Sequence, residues 1–103
     1  FFGTAVVGYV PDGRIVGLSK LARVVDACAR GFQNQERITK SVADLLTENL
    51  RPKGVGVVLR ARHLCMEMRG VRVAGTETVT SCLRGAFMDD ARTRAEFLGL
   101  ARG

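Results

Sequence analysis

The sequence predicts an α+β domain built on an antiparallel sheet. Three observations carry that expectation. Residues 4–10, 54–68 and 77–87 are rich in β-branched residues with stretches of period-two alternation. Two helical stripes, one within 18–31 and one within 35–50, stand next to each other instead of alternating with single strands. Turn residues separate the pieces, and no Rossmann-type βαβ repeat or internal repeat is visible.

In order along the chain, "TAVVGYV" (4–10) is a strand with Val6 and Val10 on one face and Val7 and Tyr9 on the other. Pro11-Asp12-Gly13 is a turn, and "RIVGL" is expected to form a second short extended piece. Ser19 is then placed to cap a helix whose apolar stripe is Leu21, Val24, Val25 and Cys28, with Asp26 and Arg30 paired at i,i+4 and Gly31 at its end. A second helix is expected from Gln35 to Leu50, with Ile38, Val42, Leu45 and Leu46 inward and Pro52 and Gly54 stopping it. "GVGVVLRARHLCMEM" (54–68) reads as extended, residues 70–75 as a loop, and "ETVTSCLRGAF" (77–87) as another strand. Asp89 or Asp90 caps a last helix with Ala91, Ala95 and Leu98 on one side. The expected order is β-β-α-α-β-β-α, two helices on one sheet face plus a C-terminal helix.

Length and composition fit one soluble domain spanning residues 1–103, and no apolar run approaches the ~20 residues of a membrane span. The start, "FFGTAVVGYV", has neither an initiator methionine nor a basic leader, so the chain is expected to be truncated at its N-terminus. Three widely spaced cysteines, at 28, 65 and 82, argue against a disulfide framework and for a reducing, cytoplasmic setting. The net charge of +6 is spread without long blocks, and aromatics are scarce (five Phe, one Tyr, no Trp). That combination favours a phosphorylated small molecule over a nucleic acid strand as the anionic partner.

Three stretches carry candidate chemistry. In "RHLCMEMRG" (62–70), period two puts His63, Cys65, Glu67 and Arg69 on one strand face, neighbours roughly 6.5–7 Å apart. This suits either a half-exposed strand or a converging site; as a zinc site it is incomplete, because zinc takes four ligands, or three and a water. In "GLSKLAR" (17–23), Lys20 and Arg23 lie at a helix start, where the macrodipole disfavours cations unless an anion such as phosphate sits there. Two solvated basic side chains on a surface helix explain the same residues. In "NQERIT" (34–39), Glu36 suits the dipole as a first-turn acid; a carboxylate there also accepts two hydrogen bonds from a guanine-type edge.

Taken in series, "VGYVPDGRIVGLSKLARVVD", "QERIT", "GVGVV", "HLCMEMRGVR", "TVTSCLRGAF" and "TRAEFLGL" resemble GTP cyclohydrolase I over essentially all of the chain. "GLSKLAR", "QER" and H-x-C-x-x-x-R-G in this order are specific as a set. The resemblance implies the tunnelling fold, ββααββ units packed into barrels and stacked as a decamer-like homo-oligomeric ring with active sites at subunit interfaces. It implies hydrolytic opening of the imidazole ring of GTP, release of C8 as formate, and reclosure to 7,8-dihydroneopterin triphosphate, the first step of folate or tetrahydropterin biosynthesis. A catalytic Zn2+ would activate water for that step. Carried over by position, Cys65 resembles a zinc ligand, His63 a proton-transfer residue, and Arg69 a triphosphate contact. Ser19, Lys20 and Arg23 match the phosphate-binding helix start, and Glu36, with Gln35 beside it, the guanine anchor.

Departures from the family pattern leave a second reading open. The remaining zinc ligands and paired histidines of the family belong to a C-x-H-H-like segment expected upstream of Phe1, and a sheet strand goes with it, which would leave an unpaired edge. Arg60 stands where the family usually has an acid, and "GFQNQER" replaces an "RPQVQER"-like approach. The alternative is a truncated or diverged relative that keeps the fold and a phosphate- or purine-binding surface, and acts in assembly or binding without chemistry.

Overall fold

The computed structural model describes residues 2–31, 34–62 and 77–102. The elements are β1 (Phe2–Val10), α1 (Leu18–Gly31), α2 (Gln35–Leu50), β2 (Gly54–Arg62), β3 (Glu77–Gly85), α3 (Ala86–Asp89) and α4 (Ala91–Arg102). The three strands form one antiparallel sheet in the order β1-β2-β3, so the α+β class holds.

β2 is central and reads as a nearly continuous apolar run because both of its faces are covered. Val55, Val57 and Leu59 pack with Cys28, Ile38, Val42, Ala43, Leu46 and Leu50 of α1 and α2. Val58 packs on the other face with Phe87, Phe97 and Ala101 of α3 and α4. β1 divides in the same way: Val7 and Tyr9 join the first cluster, Val6 and Val10 the second. This is the two-faced strand expected from its alternation.

Four expectations are corrected. "RIVGL" is not a strand. The chain turns at Gly13 (φ 84°), the Val16 amide donates to Tyr9 Oη at 3.1 Å, and β1 already pairs with β2. Ser19 is not the cap of α1: the Gly17 carbonyl accepts from the Lys20 and Leu21 amides, so Gly17 holds the cap position and Ser19 lies inside the first turn. The strand over 77–87 ends at Gly85, where Lys53 O accepts the Ala86 amide and the chain turns into α3. In α4, Ala91 and Ala95 are exposed, while Phe97 and Ala101 are the buried pair, because Phe97 reaches the sheet and tilts against Phe87 at 5.0 Å between centroids.

The second helix has the expected bounds, Gln35 to Leu50, and buries Ile38, Val42 and Leu46 as expected, but Leu45 is exposed, with Ala43 and Leu50 completing the buried face instead. Asn34 caps its start, its Oδ1 accepting the Glu36 amide at 2.8 Å. Arg51 ends it in the left-handed region (φ 44°), donating its amide to Thr47 O. Asp90 caps α4, its carboxylate accepting the Arg92 and Thr93 amides. The expected loop over 70–75, and the extended reading beyond Arg62, lie outside the described residues. No helix among the described residues is long and apolar enough to cross a membrane.

Candidate functional site

The start of α1 exposes three of the candidates. Ser19, Lys20 and Arg23 are all on the surface of its first turns, with Ser19 and Arg23 at the i,i+4 spacing that makes helix neighbours. Lys20 borders a groove of about 390 Å3 together with Val16, Leu21, Leu45 and Asn49. It therefore stands beside the C-terminal end of α2.

The start of α2 holds the next two. Glu36 is exposed, its backbone amide taken by the Asn34 cap. Glu36 borders an open groove of about 490 Å3 with Thr39, Lys40, Thr80, Ser81, Cys82 and Arg84. Gln35 points the other way and is buried; its Nε2 donates to Leu59 O at 3.0 Å and to Thr78 O at 2.9 Å. At the far end of the groove Arg84 pairs with Asp44. Burial works to lower the Arg84 pKa, but the Asp44 hydrogen bond and charge, with Cys82 beside it, hold it above its ordinary value, so it stays charged.

Glu36 and Lys20 are far apart within the chain. Glu36 is on the first turn of α2 and Asn49, beside Lys20, on the last. Thirteen helical steps lead from Glu36 to Asn49, about 20 Å at 1.5 Å per residue. The structure thus brings Ser19, Lys20 and Arg23 onto one surface and sets Glu36 at the opposite end of α2.

His63, Cys65 and Arg69 lie outside the described residues; β2 ends at Arg62, and His63 is next in the chain. Among the described residues no three His, Cys, Asp or Glu side chains lie together as a metal site requires. Cys28 is buried in the first core cluster, and burial pushes its thiol pKa up, which suits the expected structural role. Cys82 stands opposite Val57, five rungs from the Arg62–Glu77 end of the ladder. Arg60 has its own counter-charge, Nη1 lying 3.2 Å from Glu77 Oε1.

The residues that sequence reasoning missed are the walls of the Glu36 groove. Thr39 and Lys40 follow Glu36 by three and four positions on α2, and Thr80, Cys82 and Arg84 share one face of β3. Both spacings are readable in the sequence, but their meeting depends on α2 packing over β3. Another groove, about 610 Å3, is apolar, runs between β1 and α1, and is bordered by none of Ser19, Lys20, Arg23, Gln35 and Glu36.

The GTP cyclohydrolase I family model matches residues 1–102. A GTP cyclohydrolase 1 of Nitrosospira multiformis is 58% identical over 101 residues, covering 98% of this chain and 53% of the relative. That of Thermobifida fusca is 60% identical over 105 residues, with 100% of this chain and 51% of the relative covered. That of Aquifex aeolicus is 56% identical over 103 residues, with 100% and 56% covered. The chain spans about half the length of the curated relatives it matches.

Proposed function

We propose, from the premise that this chain belongs to the GTP cyclohydrolase I family, that it is the nucleotide-binding part of an enzyme acting on GTP. The reaction is hydrolytic opening of the imidazole ring, release of C8 as formate, and reclosure to 7,8-dihydroneopterin triphosphate. The observation that carries the reading is the exposure of Ser19, Lys20 and Arg23 at one end of α2 and of Glu36 at the other. These are an anion-binding set and a carboxylate suited to a guanine edge.

Lys20 and Arg23 bind the triphosphate through charge-assisted hydrogen bonds, helped by the Ser19 hydroxyl and by Arg69. The Glu36 carboxylate accepts the guanine N–H groups. His63 moves a proton at the reacting ring, and Cys65 would be one of the residues holding Zn2+, which would supply activation of the attacking water. Because Lys20 stands beside the last turn of α2 and Glu36 is on its first, with about 20 Å of helix rise between those turns, one GTP takes its phosphate contacts and its guanine contact from two copies of the chain. The working form is therefore a homo-oligomer with sites between subunits. Its ββααββ units join through outer strands such as β1 and β3, in a ring of the tunnelling type.

The test is formate release. Full-length protein loaded with zinc is expected to release one formate per GTP consumed and to stop when zinc is chelated. A zinc-loaded protein that binds GTP but releases no formate contradicts the enzyme reading.

A further inference from the structure

We infer that Gln35 is a positioning residue that fixes Glu36 against the β2–β3 ladder without itself reaching the nucleotide, an inference that rests on the function proposed above. Gln35 is only 9% exposed. Its amide nitrogen spans two strands, donating to Leu59 O on β2 and Thr78 O on β3. Two carbonyl acceptors fix which end of the amide is nitrogen, since an oxygen there would face two oxygens.

A second tie runs beside the first. The Thr39 hydroxyl donates to Gln35 O at 2.9 Å and lies 2.7 Å from the Thr80 hydroxyl. With its one proton spent on Gln35, Thr39 accepts from Thr80. The first turn of α2 is thereby held to β3 through Thr80 and to both strands through Gln35.

The cost of this arrangement points to its purpose. Gln35 Oε1 is buried and has no hydrogen-bond partner among the described residues. An apolar side chain would leave no such acceptor, so packing alone does not account for a glutamine here. What the two donors achieve is register: Glu36 is the next residue after Gln35, and β2 ends at Arg62, immediately before His63 in the chain. The clamp holds the guanine-binding carboxylate at a set distance from the strand that leads to the reacting groups.

The test uses zinc-loaded full-length enzyme carrying Gln35→Met, which keeps length and removes both donors. The expected result is a kcat lowered by about tenfold or more, because misplacement of bound substrate is costly. The GTP dissociation constant, measured on metal-free protein, should rise by no more than the Glu36→Gln change alone raises it. In a Glu36→Gln background the same change should lower kcat by less than about threefold further, because Gln35 acts through Glu36. Weakened GTP binding with unchanged kcat would mean direct contact with the nucleotide and overturn the inference. So would an equal loss in both backgrounds, the mark of a merely structural residue.

Gln35→Glu is the second variant, in case the methionine variant does not fold. Its carboxyl can donate one hydrogen bond only when protonated, so its activity relative to wild type should rise as pH falls; a ratio independent of pH overturns the inference. If wild-type enzyme releases no formate, the functional reading fails and this inference with it. If wild type is active and Gln35→Met matches its kcat, only the inference fails.

Discussion

Phe97 of α4 lies against Gly56 of β2 so closely that a Cβ on the glycine would come within 2.7 Å of the ring. Gly8, the cross-strand partner of Gly56, would bring a Cβ to 3.0 Å of the same ring. The paired glycines make the flat floor on which the second core cluster rests. Gly56→Ala forces the ring off the sheet and is expected to destabilise by about 1–3 kcal/mol, as overpacking does. Urea unfolding checks this, and in a Phe97→Leu background the cost should shrink, because the two residues share one contact.

Arg51 ends α2 with φ 44°, a conformation that favours glycine. Arg51→Gly removes that strain, offset partly by the greater freedom of glycine in the unfolded chain. The expected net gain is up to about 1 kcal/mol, read as a higher denaturation midpoint. A lower midpoint would mean that the Arg51 side chain contributes more than its backbone strain costs.

The Cys28 thiol has its pKa raised above the ordinary 9.0 by burial. Above pH 9 the unfolded chain loses this proton while the folded chain keeps it. The unfolded state then binds fewer protons, and stability falls with rising pH until the folded pKa is passed. Below pH 9 the group adds no slope. Cys28→Ala should flatten the stability–pH curve above pH 9 relative to wild type. In the native protein at neutral pH, Cys82, which is only half-buried, should react with a thiol reagent well before Cys28.

The two ends of α2 predict different ligand dependences. Lys20→Ala and Arg23→Ala should each weaken GTP binding by roughly 10- to 100-fold, the worth of a lost charge-assisted hydrogen bond, and leave guanosine binding unchanged. Glu36→Ala should weaken GTP and guanosine alike. Calorimetric titration of the metal-free protein with both ligands measures each effect; a guanosine loss in Lys20→Ala would contradict the assignment.

Much of this was legible in the sequence. The Leu21, Val24, Val25 and Cys28 stripe packs on the core as its spacing requires, and α2 runs from Gln35 to Leu50 between a polar N-cap and a left-handed turn. The alternation in β1 separated its two faces correctly. Where reading failed, the deciding contacts were distant in sequence. "RIVGL" has strand-like residues but no strand partner, since the β1 ladder belongs to β2 and the Val16 amide to Tyr9. Ala91, Ala95 and Leu98 make a helical stripe as good as the one containing Phe97, and only the glycine floor of the sheet selects the ring side. For the site, residue types and spacing marked Lys20 and Glu36, but the helix length that parts them emerges only once α1 packs beside α2.

The most direct test of the account is subunit complementation. Full-length, zinc-loaded Lys20→Ala and Glu36→Ala proteins should each lose most of their GTP-dependent formate release when GTP is held near the wild-type dissociation constant. Unfolded together, refolded and reassembled in equal amounts, they should recover about a quarter of wild-type activity. That is the share of interfaces that draw an intact Lys20 from one copy and an intact Glu36 from another. A mixture no more active than its components, with mixed oligomers formed, would contradict a site shared between two copies.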